Sequence, residues 1–355
     1  MSLTVRLRHQ LGVLSLDIAF EAPPGVTVLF GRSGAGKTTV INAVAGLLRP
    51  QSGHIAVNGR TLFASAEGVN LPPHQRRLGY IFQDGRLFPH MTVRKNLTFG
   101  QRFAPPGGGP RFDEVVELLG IEALLARRPG SLSGGERARV AIGRALLTRP
   151  AMLLADEPLA SLDEARKAEI LPFFERLRDE LDLPILYVSH APDEVARLAT
   201  TVVALQHGRV LRQGPADAVL SDARVTPLGL REAGAMLEAR VLRHHEDGLT
   251  ELDAGGTSLF LPGLDRAPGT ALRVRLPAQD VMLAVAQPEG LSALNVLPAQ
   301  VVAIDAGAGH DALVTLDTPG GRILSRVTQR SVAALGLREG RRVYAVVKSV
   351  AVAPP

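Results

Sequence analysis

Apolar positions change their period several times along the chain, and each change marks an element. Over residues 3–21 apolar and polar positions alternate, in Leu3-Thr-Val-Arg-Leu and again in Leu14-Ser-Leu-Asp-Ile, the period of strands with one covered face. Pro23-Pro24-Gly25 then turns the chain into Val26–Phe30, a continuous apolar run that reads as a buried strand. From residue 39 to 48 the period lengthens: Val40, Ile41, Val44, Ala45, Leu47 and Leu48 recur at helical spacing, and Pro50 closes the helix. Residues 53–59 read as a short strand ending in an Asn-Gly turn, 64–77 as a polar loop and 78–82 as a strand that delivers Gln83. The pattern is helical from about 93 to 127, broken by Pro105-Pro-Gly-Gly-Gly-Pro110. A long amphipathic helix follows Leu132, with Val140, Ile142, Ala145, Leu146 and Leu147 apolar. Residues 151–155 and 185–188 are unbroken apolar runs of the buried parallel type, and 201–205 with 209–214 read as a closing hairpin. After about residue 230 helical spacing gives way to short alternating strands with Gly/Pro turns.

Strands alternating with helices, then strands alone, predict an α/β domain over 1–230, with a helical subdomain at about 84–147, followed by an all-β domain over 231–355. The 355 residues are 46% hydrophobic and 21% charged, enough for two or three domains with a sizeable core. Forty basic against 35 acidic residues leave +5, too small an excess to argue for nucleic acid. The absence of cysteine excludes disulfides and thiolate chemistry. Met1-Ser-Leu-Thr-Val-Arg6 carries no signal-peptide core, and no run approaches the ~18 apolar residues of a membrane span. Membrane association is therefore expected only through a partner.

Chemistry concentrates at the ends of the buried strands. Gly31-Arg32-Ser33-Gly34-Ala35-Gly36-Lys37-Thr38, followed by Thr39, fits G-x-x-x-x-G-K-S/T between a strand and a helix. Glycines let the backbone N–H groups turn inward onto phosphate oxygens, and the helix N-terminus adds partial positive charge. Lys37 is expected to reach the β- and γ-phosphates of ATP and Thr38 to ligand Mg²⁺. The apolar run 151–155 ends in Asp156-Glu157-Pro158, where open α/β sheets bind ligands. Asp156 is placed to hold Mg²⁺ through water and Glu157 to polarise the attacking water. His190, at the tip of another central strand, is placed to contact the γ-phosphate. Leu132-Ser133-Gly134-Gly135-Glu136 opens a helix as a second phosphate-binding N-terminus, with Ser133 as hydroxyl donor.

Residues 1 to about 225 resemble an ABC-transporter ATP-binding subunit, carrying in that family's order the phosphate loop 31–38, Gln83, the signature 132–136, the acidic strand 151–157 and His190. The resemblance implies a homodimer sandwiching two ATPs, each phosphate loop facing the partner's signature residues. It implies that Gln83 joins the Mg²⁺ site to a membrane-partner contact and that Asp163 bridges the monomers. The family usually stacks an aromatic from the early strands on adenine; residues 3–19 contain none, so that platform is unassigned.

The C-terminal third repeats itself. Ala239-Arg-Val-Leu and the strands after it echo Ala299-Gln-Val-Val and its successors, each copy continuing to a glycine, Gly269 or Gly340, and a last strand. Two OB-like units are expected, at about 235–288 and 291–353. The second resembles the small molybdate-binding (Mop-type) domain, whose opening S-A-R-N appears here as Ser292-Ala293-Leu294-Asn295, leucine replacing arginine. Ser292, Asn295, Thr328, Lys348 and Ser349 are its candidate oxyanion ligands for molybdate or tungstate, weighed evenly against strand-end polar residues. The whole reads as the ATPase subunit of a molybdate-type importer. It would sit at the cytoplasmic face of the inner membrane through integral-membrane permease subunits, with an extracytoplasmic binding protein completing the system. An importer for sulfate, polyamine or sugar shares the first 225 residues. A soluble ATPase acting on nucleic acid would need stacking aromatics, and residues 231–355 hold only Phe260 and Tyr344.

Overall fold

A computed structural model describes residues 2–101, 104, 109–160, 162–180, 183–220, 234–306 and 310–348. The chain divides into two compact units, Met1–Gly214 and Pro215–Pro355.

In the first unit β1 (Leu3–Leu11) and β2 (Leu14–Ala22) form a hairpin, β3 (Val26–Phe30) leads to α1 (Lys37–Ala45), and β4 (Ser52–Val57), β5 (Arg60–Ala64) and β6 (Val69–Asn70) follow. Then come β7 (Leu78–Ile81), the helices α2 (Val93–Thr98), α3 (Phe112–Leu119) and α4 (Gly134–Leu146), and β8 (Met152–Asp156). Helix α5 (Glu164–Glu180), β9 (Ile185–Ser189), α6 (Pro192–Leu198), β10 (Thr201–Gln206) and β11 (Arg209–Pro215) complete it. All eleven strands make one sheet, in the order β6-β5-β4-β1-β2-β11-β10-β3-β9-β8-β7. Strands β10, β3, β9, β8 and β7 run parallel, so their C-terminal ends line one edge. Strands β3 and β9 are buried at every position, as their unbroken apolar runs require, whereas β2 alternates between buried and exposed.

The stretch 93–127 is not one interrupted helix: α2 and α3 are short, and a 3-10 turn spans Glu122–Leu124. Gly120, at φ 57°, ends α3 in the left-handed conformation. The polar loop 64–77 contains β6 and Arg76, whose guanidinium is 1% exposed and packs under the phosphate-loop helix. Its Nη1 donates to the carbonyls of Ala43 (2.7 Å) and Val44 (2.8 Å), its Nε to Leu71 O (2.7 Å) and its Nη2 to Asn70 Oδ1 (3.0 Å). It thereby adds a donor to the carbonyls of Ala43 and Val44 near the C-terminus of α1 and places a cation on the negative end of that helix. Gly46 gives it room: a Cβ there would lie 2.5 Å from Arg76 Nε. Arg76→Met keeps the aliphatic stem and removes the guanidinium from Val44 O, Leu71 O and Asn70 Oδ1, while Ala43 O keeps only Gly46 N. The substitution is expected to cost about 3 kcal/mol, lowering the unfolding temperature of this unit by about 6–12 °C in a calorimetric scan of the full chain. A loss below 2 °C would show that water replaces the guanidinium.

The second unit opens with α7 (Ala216–Leu220), then β12 (Gly234–His244), β13 (Leu249–Ala254), β14 (Thr257–Pro262), β15 (Ala271–Pro277) and β16 (Val281–Ala284). It continues with β17 (Asn295–Ala306), β18 (Asp311–Thr318), β19 (Gly321–Thr328), α8 (Gln329–Ala334) and β20 (Arg342–Val347). One sheet has the order β14-β13-β12-β15, the other β16-β20-β17-β18-β19. Apart from β16 the two orders correspond strand for strand. The correspondence reaches the irregularities: the β12–β13 register shifts between Val241 and Arg243, and the β17–β18 register between Val301 and Ala303. Gly269 N donates to Val241 O, and Gly340 N to Val301 O, both at 2.8 Å. Strand β16, which the repeat places with the first copy, instead pairs with β20 of the second, Val281 opposite Val347. The Ser325 hydroxyl donates to Val281 O at 2.6 Å, tying β19 to the same strand. Residues of both copies share one apolar core, Leu237, Val241, Leu252 and Val274 packing with Leu297, Val314, Leu316 and Val343.

Candidate functional site

The loop between β3 and α1 is shaped by contacts that admit only glycine at two positions. A Cβ on Gly31 would lie 2.4 Å from the Leu205 carbonyl oxygen, and one on Gly36, at φ 100°, 2.4 Å from the Leu16 side chain. Arg32, Ser33 and Gly34 are exposed, while Ala35 and Gly36 are buried against the sheet. Lys37 opens α1 and is 4% exposed. Its Nζ folds beneath the loop, donating to Gly31 O (2.7 Å) and Arg32 O (3.0 Å), and lies 3.8 Å from Glu157 Oε1. Burial pushes the Lys37 ammonium below its ordinary pKa, and the carboxylates of Glu157 and Asp156 oppose that shift. Thr38 projects its hydroxyl outward and donates to Asp156 Oδ1 at 3.2 Å; Thr39 is buried in the same turn.

Asp156 ends β8. Burial raises its pKa and the neighbouring Glu157 adds to the rise; hydrogen bonds from Thr38 and Tyr80 and the charge of Lys37 hold it down. Glu157 adopts φ 46°, the left-handed region that a glutamate rarely enters, with its N–H donating to Val188 O at 3.1 Å. This turn brings Glu157 Oε1 to 3.2 Å from His190 Nδ1. Lys37, Thr38, Asp156, Glu157 and His190 thus meet at the C-terminal ends of β3, β8 and β9. A cation, hydroxyl, two carboxylates and an imidazole beside a helix N-terminus can bind a polyphosphate and act on a water at its end.

A layer behind His190 was not visible in the pattern. Glu194 is 5% exposed; its Oε2 accepts from Ser189 Oγ (2.8 Å) and Tyr187 Oη (3.0 Å), and Lys167 Nζ lies 3.6 Å from its Oε1. Ser189 Oγ also accepts from Ala191 N at 3.0 Å, which pins the backbone on both sides of His190. The available signal was Glu194 four residues beyond His190, on the first turn of α6.

Gln83 lies exposed in the turn after β7, with no side-chain hydrogen bond among the described residues. Ser133 caps α4: its hydroxyl accepts from Glu136 N (3.1 Å), and Glu136 Oε2 accepts from Ser133 N (2.6 Å), a reciprocal capping box. Gly134 packs against Leu162, and Gly135 is buried, with Ile170 Cδ1 3.8 Å from where a Cβ would stand. Among the described residues no hydrogen bond or ion pair joins 133–136 to the phosphate loop. Asp163 caps α5, accepting from Arg166 N at 2.9 Å, and its side chain is 61% exposed.

The candidate oxyanion residues are dispersed in role. Asn295 is fully buried, and both ends of its amide are occupied by the backbone of Phe260, Oδ1 accepting at 2.7 Å and Nδ2 donating at 2.9 Å. It clamps β14 to β17 and offers nothing to a ligand. Thr328 caps α8, its hydroxyl accepting from Ser331 N at 3.1 Å. Ser292 and Lys348 are exposed and flank the pair Asn295–Val347. Ser349 lies outside the described residues.

Residues 16–160 match the ABC transporter family model, and residues 291–354 match the TOBE domain. A protein of Rhizobium johnstonii named molybdenum import ATP-binding protein ModC is 50% identical over 99% of this chain and 99% of its own length. One of the same name from Mesorhizobium japonicum is 51% identical over 99% of this chain and 95% of its own. The chain belongs to the family of molybdenum import ATP-binding proteins. Among solved structures, CbiO1 of Clostridium perfringens, part of the ABC transporter complex CbiONQ, superposes with a TM-score of 0.53 at 28% identity, over 62% of this chain and 90% of that one. A nucleotide-free ATP-binding cassette from an ABC transporter gives 0.55 at 25% identity, over 63% and 97%. In this member of the molybdenum import family, the phosphate loop, Gln83, the signature segment and the Asp156-Glu157 edge all fall inside the ABC transporter match, and His190 lies beyond it. No helix among its described residues is long and apolar enough to cross a membrane.

Proposed function

We propose that this protein is the ATP-hydrolysing subunit of a molybdate importer. It acts as a homodimer on the cytoplasmic face of the inner membrane, bound to separate permease subunits and served by an extracytoplasmic binding protein. The observation that carries the reading is end-to-end identity of about half with proteins named for molybdenum import, on a chain whose Lys37, Thr38, Asp156, Glu157 and His190 converge on one edge of the sheet.

ATP would lay its phosphates along residues 31–39, with Lys37 leaving Gly31 O and Arg32 O to meet the β- and γ-phosphates. Thr38, Asp156 and Gln83 are the hard oxygen donors that suit Mg²⁺, which when bound would neutralise phosphate charge. Glu157 accepts the proton of the attacking water, and His190 holds the γ-phosphate end. Ser133, Gly134, Gly135 and Glu136 would close on the ATP of the partner subunit, with Asp163 at the dimer contact. Exposed Ser292 and Lys348 are the described groups through which the C-terminal unit would meet an oxyanion.

The test is uptake. Cells lacking the gene should lose high-affinity molybdate accumulation; the wild-type chain should restore it and Glu157→Gln should not. Undiminished molybdate uptake in the deletion strain, with loss of sulfate or polyamine uptake instead, would move the protein to another substrate.

A further inference from the structure

Strand β7 carries a residue that the site description has not yet used for function. Tyr80 stands on the strand next to β8, opposite Leu154, and its hydroxyl is shared between Asp156 Oδ2 (3.3 Å) and Asn42 Oδ1 (2.9 Å) on α1. With Thr38 donating to Oδ1 at 3.2 Å, both oxygens of Asp156 are held, one from each side. Just past the end of β7, Phe82 stacks its ring on that of Tyr80, with centroids 4.0 Å apart at 21°. The Arg86 guanidinium covers Phe82, 4.1 Å from its centroid. Arg144 of α4 donates to the carbonyls of Gly85 (2.8 Å) and Arg86 (2.7 Å) and fixes the turn that contains Gln83.

Resting on the ATPase reading above, we propose that Tyr80 is a positioning residue that sets the two halves of the metal–nucleotide site in register. Its hydroxyl orients Asp156 against Thr38, and its ring anchors the turn carrying Gln83. Its effect passes through Asp156, whose carboxylate must present a defined edge to a small ion that demands near-octahedral oxygen geometry. A partner of this kind sets ligand orientation, and its loss typically lowers metal affinity 10- to 100-fold.

Tyr80→Phe separates the two roles, because the ring, its stacking on Phe82 and its burial survive while the hydroxyl is lost. The experiment titrates full-length wild type and variant with a fluorescent ATP analogue, once with Mg²⁺ and once with EDTA. The expected result is unchanged affinity in EDTA and an about tenfold smaller gain in affinity on adding Mg²⁺. A gain equal to that of wild type would show that Tyr80 only packs, and would overturn the proposal. Equal weakening with and without Mg²⁺ would overturn it too, because the phosphate loop itself would then be disturbed. If wild type binds no nucleotide under either condition, the ATPase reading fails and this inference falls with it.

Discussion

Glu157→Gln is expected to bind ATP, to lose turnover by about 10²–10⁴-fold and to accumulate as a nucleotide-bound dimer. The side chain is held at the chemistry by three features: the left-handed turn at φ 46°, His190 Nδ1 at 3.2 Å and Lys37 Nζ at 3.8 Å. Glutamine has the same length and can keep a hydrogen bond in that place, so the loop need not rearrange. What disappears is the charge proposed to take a proton from water. The carboxylate would also repel the γ-phosphate, and its removal should favour the proposed closed, ATP-loaded state in which each phosphate would meet the partner's Ser133-Gly134-Gly135. Light scattering behind size exclusion, with ATP and Mg²⁺, should show dimer for the variant and mostly monomer for the cycling wild type. A variant that turns over within tenfold of wild type and elutes as monomer would remove Glu157 from the role assigned to it.

Lys37→Ala should act earlier, on binding. The ammonium is buried beneath the loop, and burial already disfavours its charged form. It is therefore poised to exchange two carbonyls for phosphate oxygens. Hydrogen bonds to charged groups contribute about 1.5–3 kcal/mol, so ATP affinity should fall roughly 10- to 100-fold, and ATPase activity at saturating ATP by a further 10²–10³. The free protein should suffer as well, because Gly31 O and Arg32 O lose their donor and Glu157 loses a cation. Calorimetric titration with ATP and a thermal scan without it separate the two effects. Near-wild-type affinity would refute the phosphate-loop reading.

Much of this site was legible because single strands and their ends carry it. The run at 26–30, the loop at 31–38 and the acid at 156 are each local, and a chain read one residue after another exposes local features. Groups that work by reaching across strands were not legible. Tyr80 looks like an ordinary strand aromatic until β7 lies beside β8. Arg76 looks like one of many loop arginines until α1 ends above it, and Glu194 like a surface acid until Tyr187 and Ser189 close over it. Helix α5 was hidden for a different reason. Pro172 inside it reads as a breaker, and the buried face of Ile170, Leu171, Phe174 and Leu177 packs across that position. Asn295 misled in the opposite sense, since an amide in a motif-like segment suggests a ligand contact until the backbone of Phe260 is found on both its ends. The left-handed turn at Glu157 has no counterpart in composition at all, because proline after a glutamate says only that the backbone is restricted there.

The pairing of β16 with β20 has a consequence for synthesis. Strand β16 leaves the ribosome with the first repeat, but the strand it pairs with among the described residues, Arg342–Val347, is made about 60 residues later. At about 5–20 residues per second, the nascent chain carries an unpaired edge strand for several seconds, beside apolar surface that the second repeat will later cover. Such an edge can recruit the same segment of another nascent chain. Translation speed through 285–342 is therefore expected to affect the yield of correctly folded protein. Slow codons placed in that stretch would prolong the vulnerable interval, and a chaperone that shields it would matter most there.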